Sequence, residues 1–280
     1  MKKLLIVDGS NLLFQMFYGM PARILGPAGQ PIQGTLGFVG ALLKIIRMVQ
    51  PTHAIVVFDG ECANPRRELD EDYKANRPDY SQVAEEDLPF SQLPDIFRAL
   101  ARLQIPYAET TDCEADDWMA AYARQYGEVM DVVISSQDSD LFQLITPRVQ
   151  ILRYRGEKTV LCDVAYIREK LGIDPDQYAD FKSLTGDHSD NIRGVDKVGP
   201  KTAAELLGQF GTLDQILART EEITKPSVRA SLQRQGERAR LNRLLIRLDG
   251  SASVPIAPEA CPCRVTDQTT TQVMQALGLR

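Results

Sequence analysis

Residues 3–8 read Lys3-Leu4-Leu5-Ile6-Val7-Asp8, a short apolar run that stops on a carboxylate. The design returns twice. Ala54-Ile55-Val56-Val57-Phe58 leads into Asp59, and Val132-Val133-Ile134-Ser135-Ser136 leads, past Gln137, into Asp138. Short β-branched runs of this kind predict strands buried on both faces. Between them, apolar residues recur at helical spacing over Thr35–Val49, Leu93–Leu103 and Ala115–Tyr126. Strands alternating with helices predict an α/β fold with a parallel sheet covered on both sides. Sites in such sheets form at the carboxyl ends of the strands, where all three aspartates fall.

The rest of the chain divides by character. Residues 61–92 carry Arg66, Arg67, Lys74 and Arg77 with few aliphatics, and Asn76-Arg77-Pro78 breaks any helix. They read as a mobile, partly helical insertion in a catalytic core spanning 1–162. From 163 to 250 the pattern is helical: Asp163–Leu171, Gln177–Leu184, Lys201–Phe210, Leu213–Leu217 and a basic Ser227–Arg247. Residues 251–280 form a proline-containing tail with a short amphipathic end, silent about function.

Bulk properties exclude several classes. Of 280 residues, 44% are hydrophobic and 25% charged, as in ordinary globular proteins. No apolar stretch is long enough to span a bilayer. The apolar run after Met1-Lys2-Lys3 is too short for a secretion signal, so a cytoplasmic protein is expected. Cys62, Cys113, Cys162, Cys261 and Cys263 are odd in number and scattered, which suits reduced thiols. Cys261-Pro262-Cys263 is too tight for zinc and reads as a free surface thiol pair. The net charge of −6 does not exclude nucleic acid. Setting nine clustered acids aside leaves 29 Asp and Glu against 32 Lys and Arg.

Those nine acids are Asp8, Asp59, Glu114, Asp116, Asp117, Asp138, Asp140, Asp187 and Asp190. Glu114-Ala115-Asp116-Asp117 places three acids at a helix start. The helix dipole alone could explain that, but the companion acids on strand ends and on the loop Asp187-His188-Ser189-Asp190 favour a cation site. Carboxylates select Mg²⁺ or Mn²⁺, and nine suit two ions, which together activate water and stabilise the leaving oxygen of a phosphodiester. The two histidines add no zinc set. His53 reads as structural and His188 as an exposed loop residue.

Gly194-Val195-Asp196-Lys197-Val198-Gly199-Pro200-Lys201-Thr202 superficially matches a nucleotide-triphosphate loop, but Pro200 separates the glycine from the lysine and no apolar strand precedes it. A helix-hairpin-helix turn fits better. Gly194 and Gly199 permit the turn, Pro200 starts the next helix, and Lys197, Lys201 and Thr202 meet a phosphate backbone. Lys74 and Arg77 could reach a scissile phosphate over the metals. Phe14, Phe17 and Tyr18 read chiefly as core, with Phe14 the best candidate to stack on a base.

Taken together, Val7-Asp8-Gly9-Ser10, Phe58-Asp59, Tyr73-Lys74-x-x-Arg77-Pro78, Glu114-Ala115-Asp116-Asp117, Asp138-x-Asp140 and the block from Gly186 to Ala203 resemble the bacterial 5′→3′ exonuclease and flap endonuclease family. The resemblance covers about residues 3–248. It implies a PIN-like (resolvase-like) α/β core, a helical arch over the site and a helix-hairpin-helix subdomain. It also implies that Asp8, Asp59, Glu114 and Asp116 serve a first metal, and that Asp117, Asp138, Asp140, Asp187 and Asp190 serve or support a second. Lys74 and Arg77 become the arch cations, Tyr73 joins the DNA contacts, and the hairpin loop would hold K⁺.

The chain departs from the family where Phe14-Gln15 replaces an arginine, Gln137 a glycine and Ser139 a lysine. The expected activity is hydrolysis of DNA at 5′ flaps, nicks and 5′ ends by a free-standing, monomeric nuclease. A nuclease-dead DNA-binding module and a PIN-type ribonuclease are the rival readings.

Overall fold

The three apolar runs lie side by side at the centre of one sheet. The computed structural model describes residues 2–20, 22–60, 65–77, 82–84, 87–264 and 267–280. Its six strands are β1 (Lys3–Asp8), β2 (His53–Phe58), β3 (Tyr107–Glu109), β4 (Asp131–Ser135), β5 (Val149–Arg153) and β6 (Val160–Cys162). Their order is β3-β2-β1-β4-β5-β6. The first five run parallel, and β6 turns back antiparallel on β5. Side chains alternate across the sheet, as a period of two requires. Leu4, Ile6, Ile55 and Val57 enter one core, and Leu5, Val7, Val56 and Phe58 the other. Asp8 sits opposite Val57, which aligns the ends of β1 and β2.

One face is covered by α1 (Gly9–Gly19), α2 (Gln33–Val49), α4 (Leu93–Leu103) and, from the far end of the chain, α11 (Thr270–Ala276). Leu12, Leu13, Phe38, Leu42, Ile96, Leu100, Val273 and Met274 form that layer. Between α2 and α4 lies the short α3 (Pro65–Leu69). The other face is covered by α5 (Ala115–Tyr126) and by a helical region of α6 (Val164–Leu171), α7 (Tyr178–Thr185), α8 (Pro200–Phe210), α9 (Leu213–Ala218) and α10 (Pro226–Ile246). Trp118 and Tyr122 of α5 share one apolar cluster with Leu206, Phe210, Leu232 and Ala239. The helical region therefore shares its main interior with the sheet and completes the sheet's second layer. A two-strand ribbon, β7 (Gly186–Asp187) and β8 (Ile192–Arg193), precedes the hairpin turn.

The insertion is described at α3, at the turns of residues 70–77 and at the 3₁₀ turn Pro89–Gln92. Cys62 and Pro78 lie outside the described residues. Tyr73 packs with Ala179, Ile192, Leu245 and Ile246, docking the insertion onto the helical region.

The tail corrects an expectation. Cys261 is buried and Cys263 half-buried, so the pair is not a surface feature. The Ala54 N–H donates to the Cys261 carbonyl and the Cys263 N–H donates to the Thr52 carbonyl, strapping the tail to the start of β2. Backbone pairing, which leaves no mark in side-chain chemistry, drives this placement.

Candidate active site

Sheet topology puts the acids together. β1 lies between β2, reached through α1 and α2, and β4, reached later through α5. Such a reversal of strand order opens a crevice at the carboxyl edge.

Asp8 ends β1 and caps α1. Its Oδ1 accepts from the Asn11 N–H at 2.9 Å and its Oδ2 from the Ser136 hydroxyl at 2.7 Å. Burial pushes its carboxyl up to about 7; the Ser136 and Asn11 bonds oppose this, and repulsion from Asp59 and Asp138 adds to it. Asp59 accepts the Ala115 N–H at 2.9 Å, joining the end of β2 to the start of α5, while its own N–H donates to Ser10 Oγ at 2.9 Å. Asp116, in the first turn of α5, is held well above the ordinary aspartate range by burial, then by Asp138, Asp8 and Asp59, with Lys74 opposing. Asp138 follows β4, and its Oδ1 accepts the Asp140 N–H at 2.8 Å. Asp8, Asp59, Asp116 and Asp138 thus feel one another's charge.

A second neighbourhood adjoins the first through Asp138. Asp140 is buried, and its Oδ1 has no hydrogen-bond partner. Burial raises its pKa well above normal, and Asp138, Asp187 and Asp190 raise it further against the pull of Lys182. Burial acts to raise Asp187 too, but the Lys182 ammonium and the Ser189 hydroxyl and N–H outweigh it and hold Asp187 low. Asp190 is raised, by burial first, despite Lys74 at 4.0 Å and Arg77 at 3.8 Å.

Mutually repelling carboxylates with an unsatisfied buried oxygen fit a hard divalent cation, and every donor offered is oxygen. Among the described residues, no three Asp, Glu, His or Cys side chains already stand close enough to clasp one ion.

Two predicted ligands are placed differently. Asp117 faces away into a fork: its oxygens accept from Arg66 Nη2 at 2.7 Å and Nη1 at 3.0 Å, and its Oδ1 also accepts the Asp249 N–H at 2.8 Å. Glu114 is held by Arg66 through one oxygen and by the Lys74 ammonium through the other. Burial would raise Glu114, yet Lys74 and Arg66 hold it below the usual range. The sequence reading missed Arg66 and Lys182 as site residues, because no spacing links Arg66 to α5 or Lys182 to the cluster.

The predicted nucleic-acid contacts also separate. Tyr73 is only 3% exposed, so its ring is not available to a base. Its hydroxyl instead donates to Asp190 at 3.3 Å. Lys74 is buried with left-handed backbone (φ +56°), and its N–H donates to the Asp190 carbonyl at 3.0 Å. Arg77 is exposed at the rim. Asn76 donates to the His188 carbonyl and Asn191 to the Asp72 carbonyl, so the insertion is stitched to the loop carrying Asp187 and Asp190. Phe14 is half-buried, edge-on to the exposed Phe90 at 5.2 Å.

In the hairpin, the left-handed turn residue is Lys197 (φ +65°), not a glycine. Gly194 is required for another reason: a Cβ there would meet the Thr185 carbonyl carbon at 2.3 Å. A Cβ on Gly199 would meet nothing within 4 Å, so that position leaves open approach to the start of α8. Buried Val195 and Val198 anchor the turn, with Lys197, Gly199 and Lys201 exposed and Thr202 half-buried beside them.

The model of the 5′-3′ exonuclease N-terminal resolvase-like domain matches residues 3–172, and that of the 5′-3′ exonuclease C-terminal SAM fold matches residues 173–269. The chain is similar to DNA polymerase I of Rhizobium leguminosarum, 38% identical over 253 residues, covering 88% of this chain and 24% of that protein. It is 35% identical over 236 residues to the thermostable DNA polymerase I of Thermus aquaticus, covering 82% and 26%. The chain thus spans about a quarter of the length of these relatives. Among solved structures, the bacteriophage T5 D15 protein co-crystallised with metal ions superposes with a TM-score of 0.73 at 26% identity, covering 89% of this chain and 90% of the other. The T5 D15 flap endonuclease in a complex with DNA and metal ions superposes equally, at 0.73 and 26% over the same shares. The catalytic core of Rad2 in complex with a DNA substrate shares the fold at 17% identity and a TM-score of 0.62, covering 99% and 84%. No described helix is long and apolar enough to cross a membrane.

Proposed function

The chain belongs to the 5′-3′ exonuclease family, and from that premise we propose that it is a metal-dependent 5′-nuclease that hydrolyses DNA phosphodiesters at 5′ flaps, nicks and 5′ ends. The observation that carries the reading is the pair of carboxylate neighbourhoods sharing Asp138 at the carboxyl edge of the sheet. Asp8, Asp59, Asp116 and Asp138 would hold one ion, and Asp138, Asp140, Asp187 and Asp190 a second. Glu114 and Asp117 act behind them, setting the start of α5 through Arg66. Two Mg²⁺ or Mn²⁺ ions would supply charge for an attacking water and for the leaving oxygen.

The chain's own residues do the rest. Lys74, stored against Glu114 and 4.0 Å from Asp190, would neutralise phosphate charge from the insertion side. Arg77 guards the rim. Lys197, Lys201, Thr202 and the open backbone at Gly199 grip the duplex backbone without reading sequence. The hairpin loop would bind K⁺ through its carbonyls, as the family resemblance implies. We place the catalytic core at 1–162 and the DNA grip at 163–250, in a cytoplasmic monomer.

The test is cleavage of a 5′-labelled flap duplex with Mg²⁺, with EDTA, and by Asp116→Ala. Mg²⁺-dependent cutting near the junction that the substitution abolishes is the expected result. Tight flap binding with no cutting in Mg²⁺ or Mn²⁺ would replace the nuclease with a binding module, and preferential cutting of RNA hairpins would replace the substrate.

A further inference from the structure

Two arginines flank the residue before Asp138, and neither has a carboxylate partner among the described residues. Arg153 donates through Nη2 to the Gln137 carbonyl at 2.9 Å, with its guanidinium 5.6 Å from the centre of the Phe142 ring. Arg155 donates through Nε to the Gln137 side-chain oxygen at 2.8 Å. Arg155 is exposed, and among the described residues neither of its Nη groups has a hydrogen-bond partner. Guanidinium groups elsewhere on this surface are mostly paired: Arg193 and Arg234 with Asp196, Arg243 with Asp214, Arg219 with Glu222.

The arrangement is built rather than loose. The Gln137 amide donates to the Tyr154 carbonyl at 2.8 Å, and so does the Gln15 amide, reaching across from α1, also at 2.8 Å. Two glutamines thus pin one carbonyl at the end of β5. The turn beyond is closed by the Arg155 N–H on Thr159 Oγ1 at 3.0 Å and by Gly156 in left-handed conformation (φ +60°). The nearest acid in the chain, Glu157, lines a hollow with Lys3, Met48 and Val49. Gln15 and Gln137, from separate parts of the chain, both converge on this turn.

We propose that Arg155, aimed by Gln137, binds a backbone phosphate of the DNA strand on the β4–β5 flank of the carboxylates, across the sheet edge from Lys74 and Arg77. The inference rests on the nuclease reading. A guanidinium tethered at Nε keeps both Nη groups free for a two-pronged grip on phosphate oxygens. The tether removes rotamer freedom before DNA arrives, which strengthens the contact. Arg155 meets substrate, and Gln137 and Gln15 are positioning residues.

The experiment measures binding of a 5′-flap duplex in EDTA across a KCl series, and steady-state cleavage in Mg²⁺, for wild type, Arg155→Ala, Arg155→Lys and Gln137→Ala. Arg155→Ala should weaken binding about tenfold and raise KM about tenfold with kcat nearly unchanged. It should also lower the slope of log affinity against log salt by about 0.7–0.9, one phosphate contact. Arg155→Lys should restore the slope but not the full affinity. Gln137→Ala should lose about threefold in affinity with the slope intact. Wild-type cleavage with an Arg155→Ala variant equal in affinity, KM and slope would overturn the inference and leave the nuclease standing. Wild-type binding without cleavage would overturn the nuclease, while the salt slope still decides Arg155. Failure of the wild type to bind DNA would overturn both.

Discussion

Replacing Arg66 by Ala should destabilise the metal-free protein by about 4 kcal/mol, because it strands Asp117 and takes one of its cations from Glu114. Arg66 is 8% exposed and joins α3 to the first turn of α5 through two bonds to Asp117 and one to Glu114. Deleting one side of a buried ion pair typically costs about 3–5 kcal/mol, since the partner stays behind uncompensated. Glu114 retains Lys74, which places the loss mid-range. With an unfolding entropy near 2.1 cal/mol/K per residue, a 280-residue chain melting as one unit changes by about 0.6 kcal/mol per degree, so Tm should fall by about 7 °C. The assay is thermal melting in EDTA, followed by circular dichroism. A second variant isolates the cause: Asp117→Asn in the Arg66→Ala background removes the stranded charge and should recover part of the loss. A loss under about 1 kcal/mol, or no recovery in the double variant, would refute the view that Arg66 acts by neutralising these acids.

Three further outcomes follow from the geometry. Asp116→Asn should lower Mg²⁺-dependent cleavage by at least about a hundredfold while flap affinity in EDTA stays within about threefold, because the amide keeps the shape and removes the charge. Burial raises Asp8 from 3.8 to about 7, so its unfolded form ionises first and wild-type stability drains away as pH climbs through that window. Denaturation in EDTA should therefore show Asp8→Asn gaining on wild type between about pH 4 and pH 8, and Mg²⁺ at the upper pH should close the gap. Substituting Lys197 or Lys201 by Ala should each lower the salt slope of flap binding by about 0.9, with the change in affinity uniform across DNA sequences.

The strands that frame the site were legible because an apolar run closed by Asp states both a buried strand and the edge it reaches. β5 and β6 were not: Gln150 interrupts one, and Val160 and Leu161 of the other are exposed, so neither shows a clean burial pattern. The gathering of Asp8, Asp59, Asp116 and Asp138 follows from strand order, which alternation of strand and helix foretells. The roles of Glu114 and Asp117 do not, because their counter-charge arrives from Arg66, 48 and 51 residues upstream. Tyr73 misled for a related reason. The family resemblance put it among the DNA contacts, whereas its apolar seat exists only once Ile192, Leu245 and Ile246 converge from distant parts of the chain. The tail's strap was invisible because it is made of backbone bonds around a proline.

One apolar cluster joins a face of the sheet to the helical region, and it fixes a length. The hairpin that would hold duplex and the acids that would cut it are mounted on one shared core, like the two jaws of a caliper set at one width. The number of nucleotides between grip and cut then belongs to the protein and not to the substrate. Flaps of different length should yield the same cut position measured from the duplex junction, while the released piece grows with the flap. Heterogeneous cutting would then have to enter through the DNA's own bending.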